Sequence, residues 1–435
     1  MAGKKIEKEE NHRELLRKMT KIKMSVKKAP KGLKSNVELG RELDLYIVSE
    51  IVGSGLPLFT PHGAAIKREI ERFIQDLEIS QGYLHTSTPF MAKSDLFKVS
   101  GHWQHYKEDM FQISSKSDIL ALRPMTCPFH FVLFKRKPRS YKELPIKYAE
   151  ISTLFRNEQS GELRGLTRVR QFTLADAHII CRQNQLEGEF EKVMEMLSFA
   201  MKTLGVKDIW YRFSKWDPKN KSKYIDNPKA WEESQKTMKA ILDKLKINYK
   251  EAAGEAAFYG PKLDLQYKDV YGKEDTLLTV QIDFALPERF DMVYKDESGK
   301  LQRPMVIHRS STGATERMIS YLLEKTQGAL PLWLSPRQIR IVSFTDRNID
   351  ACRNFAEKLR KEIPLIRAEL SLESDTIQGK IRAAEMLKTN YIVVIGDKEE
   401  KNNTLAVRPR GKKPEFGVNP EDFISQLKKE ISERL

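Results

Sequence analysis

The hydrophobic pattern divides the chain into a long first part rich in strands and a shorter second part in which strands and helices alternate. A helix opens the first part, because apolar residues recur there at helical spacing. These residues are Ile66, Ile70, Phe73, Ile74 and Leu77. Residues 83–89 then predict a strand that ends at Pro89, and further β-type runs lie at 121–124, 148–156, 168–180, 263–267, 276–284 and 306–308. Short runs separated by glycine or charged loops indicate a mostly antiparallel sheet.

The second part begins after the proline-containing segment 331–336. Strand-type runs lie at 339–344, 366–370, 391–395 and 404–410, and helical runs lie near 348–361, near 376–387 and from Pro420 onward. This alternation predicts a separate α/β domain of about 100 residues. We therefore predict an α+β protein, with an antiparallel sheet flanked by helices over residues 37–335 and a C-terminal α/β domain over 336–435.

The charge of the chain favours a polyanionic partner. Its 435 residues include 76 Lys and Arg against 60 Asp and Glu, a net charge of +16 at pH 7, and such an excess favours nucleic acid as a partner. Half of the excess falls in residues 1–36, which hold 12 basic and four acidic side chains. We predict that this basic tail either contacts nucleic acid or forms a solvated, partly helical segment. Its four glutamates argue against a targeting peptide.

Composition also indicates the cellular setting. No stretch approaches the roughly 18 uncharged apolar residues of a membrane span, so we expect a soluble protein without a membrane partner. Only three cysteines occur, Cys127, Cys181 and Cys352, and a chain of this length cannot build a disulfide framework from them. We therefore expect a cytoplasmic protein. Cys352 lies within a helical apolar pattern and is predicted to belong to the core.

Two short motifs suggest chemistry on a nucleotide. Phe155 to Glu158 has the form Phe-Arg-x-Glu, and Gly313 to Arg317 leads into an apolar helix. Alternate residues of a strand share a face, so Arg156 and Glu158 would present one group for a phosphate and one acceptor for a base amine. Taken alone, the first motif is better explained as a surface ion pair.

The two motifs follow the helix, strand and Pro89 in an order that resembles the signature motifs of class II aminoacyl-tRNA synthetases. Further strings resemble the threonyl-tRNA synthetases in particular. These strings are Gly101-His102-Trp103, Met125-Thr126-Cys127-Pro128, Ser160-Gly161, Arg168-Val169-Arg170, Asp176-Ala177-His178, Phe258-Tyr259-Gly260-Pro261-Lys262, Gln281-Ile282-Asp283-Phe284 and Ile307-His308-Arg309. The resemblance extends from about residue 37 to the C-terminus.

The resemblance implies one Zn²⁺ per subunit, held by Cys127, His178 and His308. Without the family, Cys127 with His130 and His178 with Cys181 would each look like half of a zinc site. Positions three apart on a strand point to opposite faces, however, so His178 and Cys181 cannot both reach one metal. We therefore predict that His130 and Cys181 are packing or orienting residues.

Zinc would explain how threonine is selected. Three protein ligands leave an open coordination position, and coordination can expand to five, so the amine and hydroxyl of threonine can bind the metal together. Valine lacks that hydroxyl, and a site that requires a polar partner can reject its absence by about 10⁴- to 10⁵-fold. Serine lacks only a methyl group, for which a pocket offers roughly 10- to 200-fold discrimination. The pocket alone is therefore not expected to exclude serine.

The resemblance also implies the roles of the ATP-binding residues. Arg156 would hold the α-phosphate, Glu158 the adenine amino group and Arg317 the γ-phosphate, with Phe172 stacked on adenine. Mg²⁺ is expected with the triphosphate. Arginines suit phosphate oxygens because they donate two parallel hydrogen bonds.

Other residues are implied to bind the amino acid, the adenylate and the tRNA 3′ end. Asp176 would receive the substrate amine. The remaining substrate-binding residues are Met125, Arg168, Tyr259, Lys262 and Gln281, with Lys262 also expected to take part in catalysis. His102 would act in the transfer step as a proton acceptor with a near-neutral pKa, although a structural hydrogen-bond role beside Trp103 stays open.

The last domain resembles an anticodon-binding domain. Glu399 and Arg408 are the candidates for reading anticodon bases, since an arginine can pair with guanine and RNA loops expose their base edges. Lys380 and Arg382 are candidates for contacts with the RNA backbone. A solvated basic face is an equally open reading of those two residues.

Taken together, the resemblance implies an ATP-dependent threonine–tRNA ligase that acts on tRNA(Thr) as a homodimer, with the subunit interface around Pro89. The match begins just after the basic tail, so we expect no domain that edits Ser-tRNA(Thr) in cis, and either a separate protein that edits in trans or tolerance of the errors. Two alternatives stay open: a related class II synthetase for serine or proline, and a synthetase-like RNA-binding paralogue without activity.

Overall fold

The computed structural model describes residues 29–115, 117–220 and 223–435, together with Glu14, Leu15 and Lys18. The predicted basic tail lies largely outside the described residues. The chain divides into two compact units. Of the described residues, the first unit contains Glu14, Leu15, Lys18 and those within 48–57 and 71–321, and the second contains 29–47, Leu58–Ile70 and Leu322–Leu435.

Helices and strands are numbered in chain order over the described residues. The helices are α1 (Asn36–Glu42), α2 (Pro61–Ser80), α3 (Ser94–Ser100), α4 (His102–Tyr106), α5 (Cys127–Lys135), α6 (Leu186–Thr203), α7 (Pro228–Lys244), α8 (Leu286–Arg289), α9 (Thr315–Thr326), α10 (Ile349–Glu362), α11 (Ile377–Met386), α12 (Asp397–Asn402) and α13 (Pro420–Ser432). The strands are β1 (Tyr46–Ile47), β2 (Leu58–Phe59), β3 (Leu84–His85), β4 (Met91–Lys93), β5 (Gln112–Ser114), β6 (Ile119–Leu122), β7 (Ile146–Phe155), β8 (Gln171–Cys181), β9 (Trp210–Lys215), β10 (Tyr249–Ala253), β11 (Lys262–Lys268), β12 (Glu274–Asp283), β13 (Tyr294–Lys295), β14 (Leu301–Gln302), β15 (Met305–Ala314), β16 (Ile339–Ser343), β17 (Ala368–Ser371), β18 (Tyr391–Ile395), β19 (Leu405–Pro409) and β20 (Glu415–Val418).

The first unit is built on an eight-stranded sheet in the order β10-β9-β11-β12-β15-β8-β7-β3. Its neighbouring strands are antiparallel except for the pairs β9/β10 and β3/β7. The predicted antiparallel sheet is therefore confirmed. Helix α6 packs on this sheet against β8 and β15. The predicted strand at 83–89 is shorter than expected, since only Leu84 and His85 pair with β7.

Strand β15 is much longer than the predicted run at 306–308, because the strand continues through buried polar residues. The Arg309 side chain is fully buried and pairs with the equally buried Glu78, whose carboxylate lies 2.5 Å from the guanidinium. Ser311 donates a second hydrogen bond to the same carboxylate. A buried ion pair needs such partners, and a hydrophobic pattern cannot reveal them.

The second unit contains a five-stranded sheet in the order β17-β16-β18-β19-β20. Strands β16, β17 and β18 are parallel, and β19 and β20 are added antiparallel. Helices α10 and α11 pack on β16, so the predicted α/β domain is confirmed. Cys352 lies in its core as predicted. Helix α12 and strand β20 escaped prediction because the first is wholly polar and most of the second is exposed.

Within the described residues, no helix combines the length and apolar character that crossing a bilayer requires.

Candidate active site

Strand pairing in the first unit brings distant polar residues into one row. His308 on β15 pairs directly with His178 on β8 and, on its other side, with Gln281 on β12. Directly paired residues of neighbouring strands project from the same face of the sheet. Asp176 lies two residues before His178 on the same strand and therefore shares this face.

Cys127 is brought to the same place by helix α5. The helix begins at Cys127, and Pro128 in its first turn is compatible with that start because no intrahelical partner is lost there. Among the described residues, the sulfur of Cys127 and one ring nitrogen each of His178 and His308 lie within 4.8 Å of one another, and all three residues are buried. One thiol and two imidazoles form a donor set typical of zinc. The residues therefore fit the ion that the sequence resemblance implies.

The hydrogen bonds of the two histidines indicate which nitrogens face this cluster. Nδ1 of His178 lies 2.8 Å from Nδ1 of His130, and Nε2 of His308 lies 2.8 Å from Asp283 Oδ2. The nitrogens left for a metal are therefore Nε2 of His178 and Nδ1 of His308. Asp283 is itself held in place, because its Oδ1 accepts hydrogen bonds from the amides of Ala285 and Leu286.

Burial shifts the pKa values of Cys127 and His178 towards their uncharged forms. It raises the pKa of the Cys127 thiol well above its ordinary value, and the nearby carboxylates of Asp176 and Asp283 raise it further. Burial lowers the pKa of His178, and it raises the pKa of Asp176. A bound cation reverses this balance for a thiol, since it stabilises the thiolate.

Several predicted substrate-binding residues surround the Cys127, His178 and His308 cluster. The Tyr259 hydroxyl donates to Gln281 Oε1 at 2.5 Å, and the Tyr259 ring centroid lies 5.1 Å from that of His308. Lys262 pairs with Gln281 across the sheet. Its ammonium lies 3.2 Å from the fully buried Asp264. Met125 is partly buried against the apolar core that also contains Cys127.

His102 also lies in this region but differs from prediction in its pKa. It begins α4, is only 3% exposed, and its Nδ1 lies 2.8 Å from Ser100 Oγ. Its ring packs against Phe258 and Tyr259 at centroid distances of 5.1 and 6.2 Å. Burial, reinforced by the neighbouring His308, lowers the pKa of His102 to about 3. The near-neutral pKa expected from the sequence is therefore wrong for this conformation, in which the imidazole is a weak base.

This low pKa predicts a specific loss of stability in acid. In the unfolded chain His102 takes up a proton below its ordinary pKa of 6.5, whereas the folded form does so only near pH 3. The free energy of unfolding should therefore fall as the pH drops from 6.5 towards 3, by about 2 kcal/mol between pH 7 and pH 5 from this residue. Denaturant unfolding at both pH values should show that His102→Gln loses less stability than the wild type. Equal losses in the two proteins would contradict the assignment.

The predicted nucleotide-binding residues also lie together. The guanidinium of Arg156 lies 5.1 Å from the ring centroid of the buried Phe172. The Glu158 carboxylate accepts hydrogen bonds from Arg168, with Oε2 lying 2.8 Å from Nε and 2.6 Å from Nη2. Arg168, which was predicted to bind substrate, is thus held by Glu158 in this structure.

Arg317 is held in one orientation by backbone carbonyls. Its Nε donates to Thr167 O at 3.0 Å and its Nη1 to Thr276 O at 2.5 Å. Gly313, four residues earlier, has a φ of +68°, and a Cβ built there would lie 1.8 Å from the carbonyl oxygen of Leu277. A side chain cannot fit between these backbones. Glycine at 313 therefore allows β15 to approach β12 just before Arg317.

The second unit holds the four predicted RNA-binding residues. Glu399 caps the N-terminus of α12, where Oε2 accepts from the amide of Gly396 at 3.1 Å. Arg408 lies on β19 and is partly exposed, and Arg382 is exposed. Lys380 does not match the prediction. It is only 4% exposed, and its ammonium donates to Ser343 O at 3.1 Å. An ammonium bonded inside the unit is not available to an RNA phosphate.

Two residues that contact the histidines of the site were not fully predicted. Asp283 was not recognised as a site residue, and His130 was recognised without the residue that it orients. Asp283 stands two residues after Gln281 on β12, so the alternation of a strand could have placed both on one face. His130 was predicted to pack or orient, and its contact with His178 identifies what it can orient. No sequence signal links either residue to its histidine, because both contacts depend on the fold.

Comparisons with known proteins agree with this architecture. Residues 107–326 match the family described as tRNA synthetase class II core domain (G, H, P, S and T), and residues 338–430 match the anticodon binding domain family. The chain is 52% identical over 399 residues to a threonine–tRNA ligase of Clostridium botulinum, an alignment that covers 91% of this chain and 62% of that relative. It is 45% identical over 398 residues to a threonine–tRNA ligase of Staphylococcus aureus, over 91% of this chain and 61% of the relative.

A solved structure is similar over nearly the whole described chain. It is the RNA binding domain of threonyl-tRNA synthetase from Cryptosporidium parvum, with a TM-score of 0.86, 33% identity, and coverage of 91% of this chain and 98% of that one. The chain spans about 62% of the Clostridium relative's length. The core-domain match covers half of the chain and is followed by the matched anticodon-binding domain, so the chain belongs to the class II aminoacyl-tRNA synthetases, in the threonyl-tRNA synthetase family.

Proposed function

We propose that the chain is a threonine–tRNA ligase, which activates L-threonine with ATP and transfers it to the 3′ end of tRNA(Thr). One observation carries the proposal: Cys127, His178 and His308 converge beside Asp176 and the Tyr259–Gln281 hydrogen bond. This arrangement combines a metal donor set with a carboxylate for an amine. The 52% identity to a threonine–tRNA ligase supports the same assignment.

Activation would proceed by in-line attack. A carboxylate oxygen of threonine forms a bond to the α-phosphorus of ATP, the bond from that phosphorus to the bridging oxygen breaks, and pyrophosphate leaves. The protein contributes mainly by positioning groups and neutralising charge. We propose that Asp176 binds the substrate amine and that Tyr259, Gln281, Lys262 and the side chain of Met125 line the amino-acid and adenylate pocket.

A zinc ion held by Cys127, His178 and His308 would have room to bind both the amine and the hydroxyl of threonine. The chain's own part is to orient those three ligands and exclude water. Phe131 supports this, since its ring packs against the rings of both His178 and His308 at centroid distances of 5.8 and 5.9 Å.

The arginines and Phe172 would bind ATP together with Mg²⁺. Arg156 lies against the Phe172 ring. Arg156 could therefore bind the α-phosphate of a nucleotide while its adenine stacks on Phe172. We propose that Glu158 accepts the adenine amine while Arg168 holds its carboxylate in place. Arg317 would bind the γ-phosphate.

Arg317→Lys is expected to impair ATP use although it keeps the positive charge. A lysine ammonium lacks the planar fork with which Arg317 donates to the carbonyls of Thr167 and Thr276, so the cation loses its fixed orientation. We expect kcat/KM for ATP in threonine-dependent pyrophosphate exchange to fall by about 10²- to 10³-fold, with a much smaller change in the KM for threonine. The matched control is Arg182→Lys, because Arg182 and Arg317 both have side chains 27% exposed and Arg182 pairs with Glu297. An effect no larger than that of the control would remove Arg317 from the site.

Transfer would join the amino acid to a terminal ribose of tRNA. The ribose hydroxyl forms a bond to the carbonyl carbon of the adenylate, the bond from that carbon to the phosphate oxygen breaks, and AMP leaves as its phosphate takes up the hydroxyl proton. His102 lies near Tyr259 and is proposed to hydrogen-bond the reacting end of the tRNA as a neutral imidazole. In the second unit, Glu399, Arg408 and Arg382 are proposed to contact the anticodon loop.

We propose that the chain acts as a homodimer in the cytoplasm. Four exposed apolar side chains support an interface near Pro89, and they belong to the sheet β4-β6-β5 or adjoin it. They are Phe90, Met91, Ile113 and Ile119. All three cysteines are free, which suits a reducing compartment.

The function is tested by pyrophosphate exchange with each of threonine, serine and proline, followed by charging of a tRNA(Thr) transcript. We expect the highest kcat/KM with threonine and charging that depends on the same amino acid. Exchange that prefers proline or serine would instead indicate a related synthetase. A well-folded protein that binds tRNA(Thr) and catalyses no exchange would support the RNA-binding paralogue.

A further inference from the structure

A chain of hydrogen bonds, formed largely by buried residues, links His178 to the carboxylate of Glu150. Next to His178, His130 is fully buried on α5, and its two ring nitrogens face opposite ways. Nδ1 lies 2.8 Å from His178 Nδ1, and Nε2 lies 2.9 Å from Thr86 Oγ1. Beyond Thr86 is Glu150, whose Oε2 lies 3.4 Å from that hydroxyl and 3.8 Å from His130 Nε2.

The Glu150 carboxylate is held by further buried groups. Thr88 donates to its Oε2 at 2.8 Å, and a guanidinium nitrogen of the fully buried Arg123 lies 2.8 Å from its Oε1. Burial by itself raises the pKa of Glu150, but the nearby His130 ring, the hydrogen bond from Thr88 and the contact and charge of Arg123 outweigh it, so the pKa lies below the ordinary value. An ionised carboxylate is a hydrogen-bond acceptor only.

Two acceptors near the Thr86 hydroxyl, the Ala149 carbonyl at 3.2 Å and the Glu150 carboxylate at 3.4 Å, favour one direction for the bonds in the chain. A hydroxyl that donates to either of them can only accept from His130, so the neutral tautomer that fits has its proton on Nε2, pointing towards Thr86. Nδ1 of His130 is then an acceptor, so the proton of His178 lies on Nδ1. Nε2 of His178 is left with its lone pair towards Cys127 and His308. The opposite polarity would put a proton on Nε2 of His178 and prevent it from binding a metal.

We propose that His130 is a positioning residue which, backed by Thr86 and Glu150, holds His178 in the tautomer and orientation that bind the metal. The proposal rests on the zinc site proposed above and concerns His178 alone, since His308 is oriented separately by Asp283. Without His130, the three metal ligands would remain, but the His178 ring would lose the contact that fixes its orientation and the position of its proton.

The test measures Zn²⁺ affinity in the purified full chain by competition with a chromophoric chelator. His130→Leu removes the acceptor with little change in volume and should weaken Zn²⁺ binding by about 10- to 100-fold. His130→Asn keeps an acceptor oxygen near the position of Nδ1 and should recover most of that loss. With Co²⁺ in place of zinc, the visible absorption bands of His130→Leu should differ from those of the wild type and those of His130→Asn should not.

Two further variants separate the relay from simple packing. Phe134→Leu alters a buried ring one turn further along α5, so it should lower the free energy of unfolding but leave the Zn²⁺ affinity unchanged. Thr86→Val removes the bridging hydroxyl at nearly constant shape, and we expect a smaller loss of Zn²⁺ affinity. In the His130→Leu background the same change should have no further effect, because the two act through one chain of bonds.

The outcomes distinguish this inference from the proposed site. A wild-type protein that binds no zinc, or binds it unchanged after Cys127→Ala, would refute the zinc site and the relay together. A wild type with Cys127-dependent binding that is unaffected by His130→Leu would refute the relay alone. Equal weakening by His130→Leu and His130→Asn would also refute it, since it would show that only the shape of the ring matters.

Discussion

Replacing Cys127 by alanine is expected to remove both the bound metal and threonine-dependent pyrophosphate exchange. The sulfur is one of three donors that lie within 4.8 Å of one another, and two histidines alone make a much weaker site. Outer-sphere residues of metal sites typically contribute 10- to 100-fold, so the loss of a direct ligand should exceed about 100-fold in kcat/KM. The measurements are metal content after dialysis and the exchange rate at saturating ATP.

Cys181→Ala provides a matched control for this variant. Cys181 is also buried and free, and it lies on the same strand as His178, but it is absent from the three-residue metal group. We expect this variant to keep its zinc and its exchange activity, with at most a modest loss of stability. Full activity of Cys127→Ala, or an equal loss in both variants, would contradict the assigned role of Cys127.

The β-type runs of the sequence predicted most strands of the eight-stranded sheet, but they missed β9 and β10 and gave no strand order. The runs at 148–156, 168–180, 263–267 and 276–284 correspond to β7, β8, β11 and β12 within a few residues. The sequence also excluded a metal site shared by His178 and Cys181, because residues three apart on a strand point to opposite faces of the sheet. The meeting of His178 with His308 could not be obtained in this way, because it depends on the pairing register of β8 and β15.

Buried polar groups account for most of what the sequence did not reveal. The length of β15 was underestimated because Arg309 is a charged residue in a buried strand. Its burial depends on the ion pair with Glu78, which the sequence pattern does not reveal. The pKa of His102 depends on burial under Phe258 and Tyr259, and the burial of Lys380 depends on Ser343. In each case the residue type was visible in the sequence, whereas its partner came from a distant element.

Amino-acid selection provides the second large effect. Relative to threonine, we expect kcat/KM for valine in pyrophosphate exchange to be lower by about 10⁴- to 10⁵-fold, because valine is nearly isosteric but offers no hydroxyl to a site built for one. For serine we expect only about 10- to 200-fold, because one missing methyl group is worth roughly 1 to 3 kcal/mol in a pocket. The assay measures activation by the described pocket and is independent of any later editing.

Two amino-acid analogues separate the contribution of the threonine hydroxyl from that of its methyl group. Serine removes the methyl group of threonine and keeps the hydroxyl, whereas 2-aminobutyrate removes the hydroxyl and keeps the methyl. If the hydroxyl is read through the site of Cys127, His178 and His308, 2-aminobutyrate should behave like valine and be rejected far more strongly than serine. Similar rejection of serine and 2-aminobutyrate would mean that shape alone selects threonine, and the three buried ligands would then have no part in specificity.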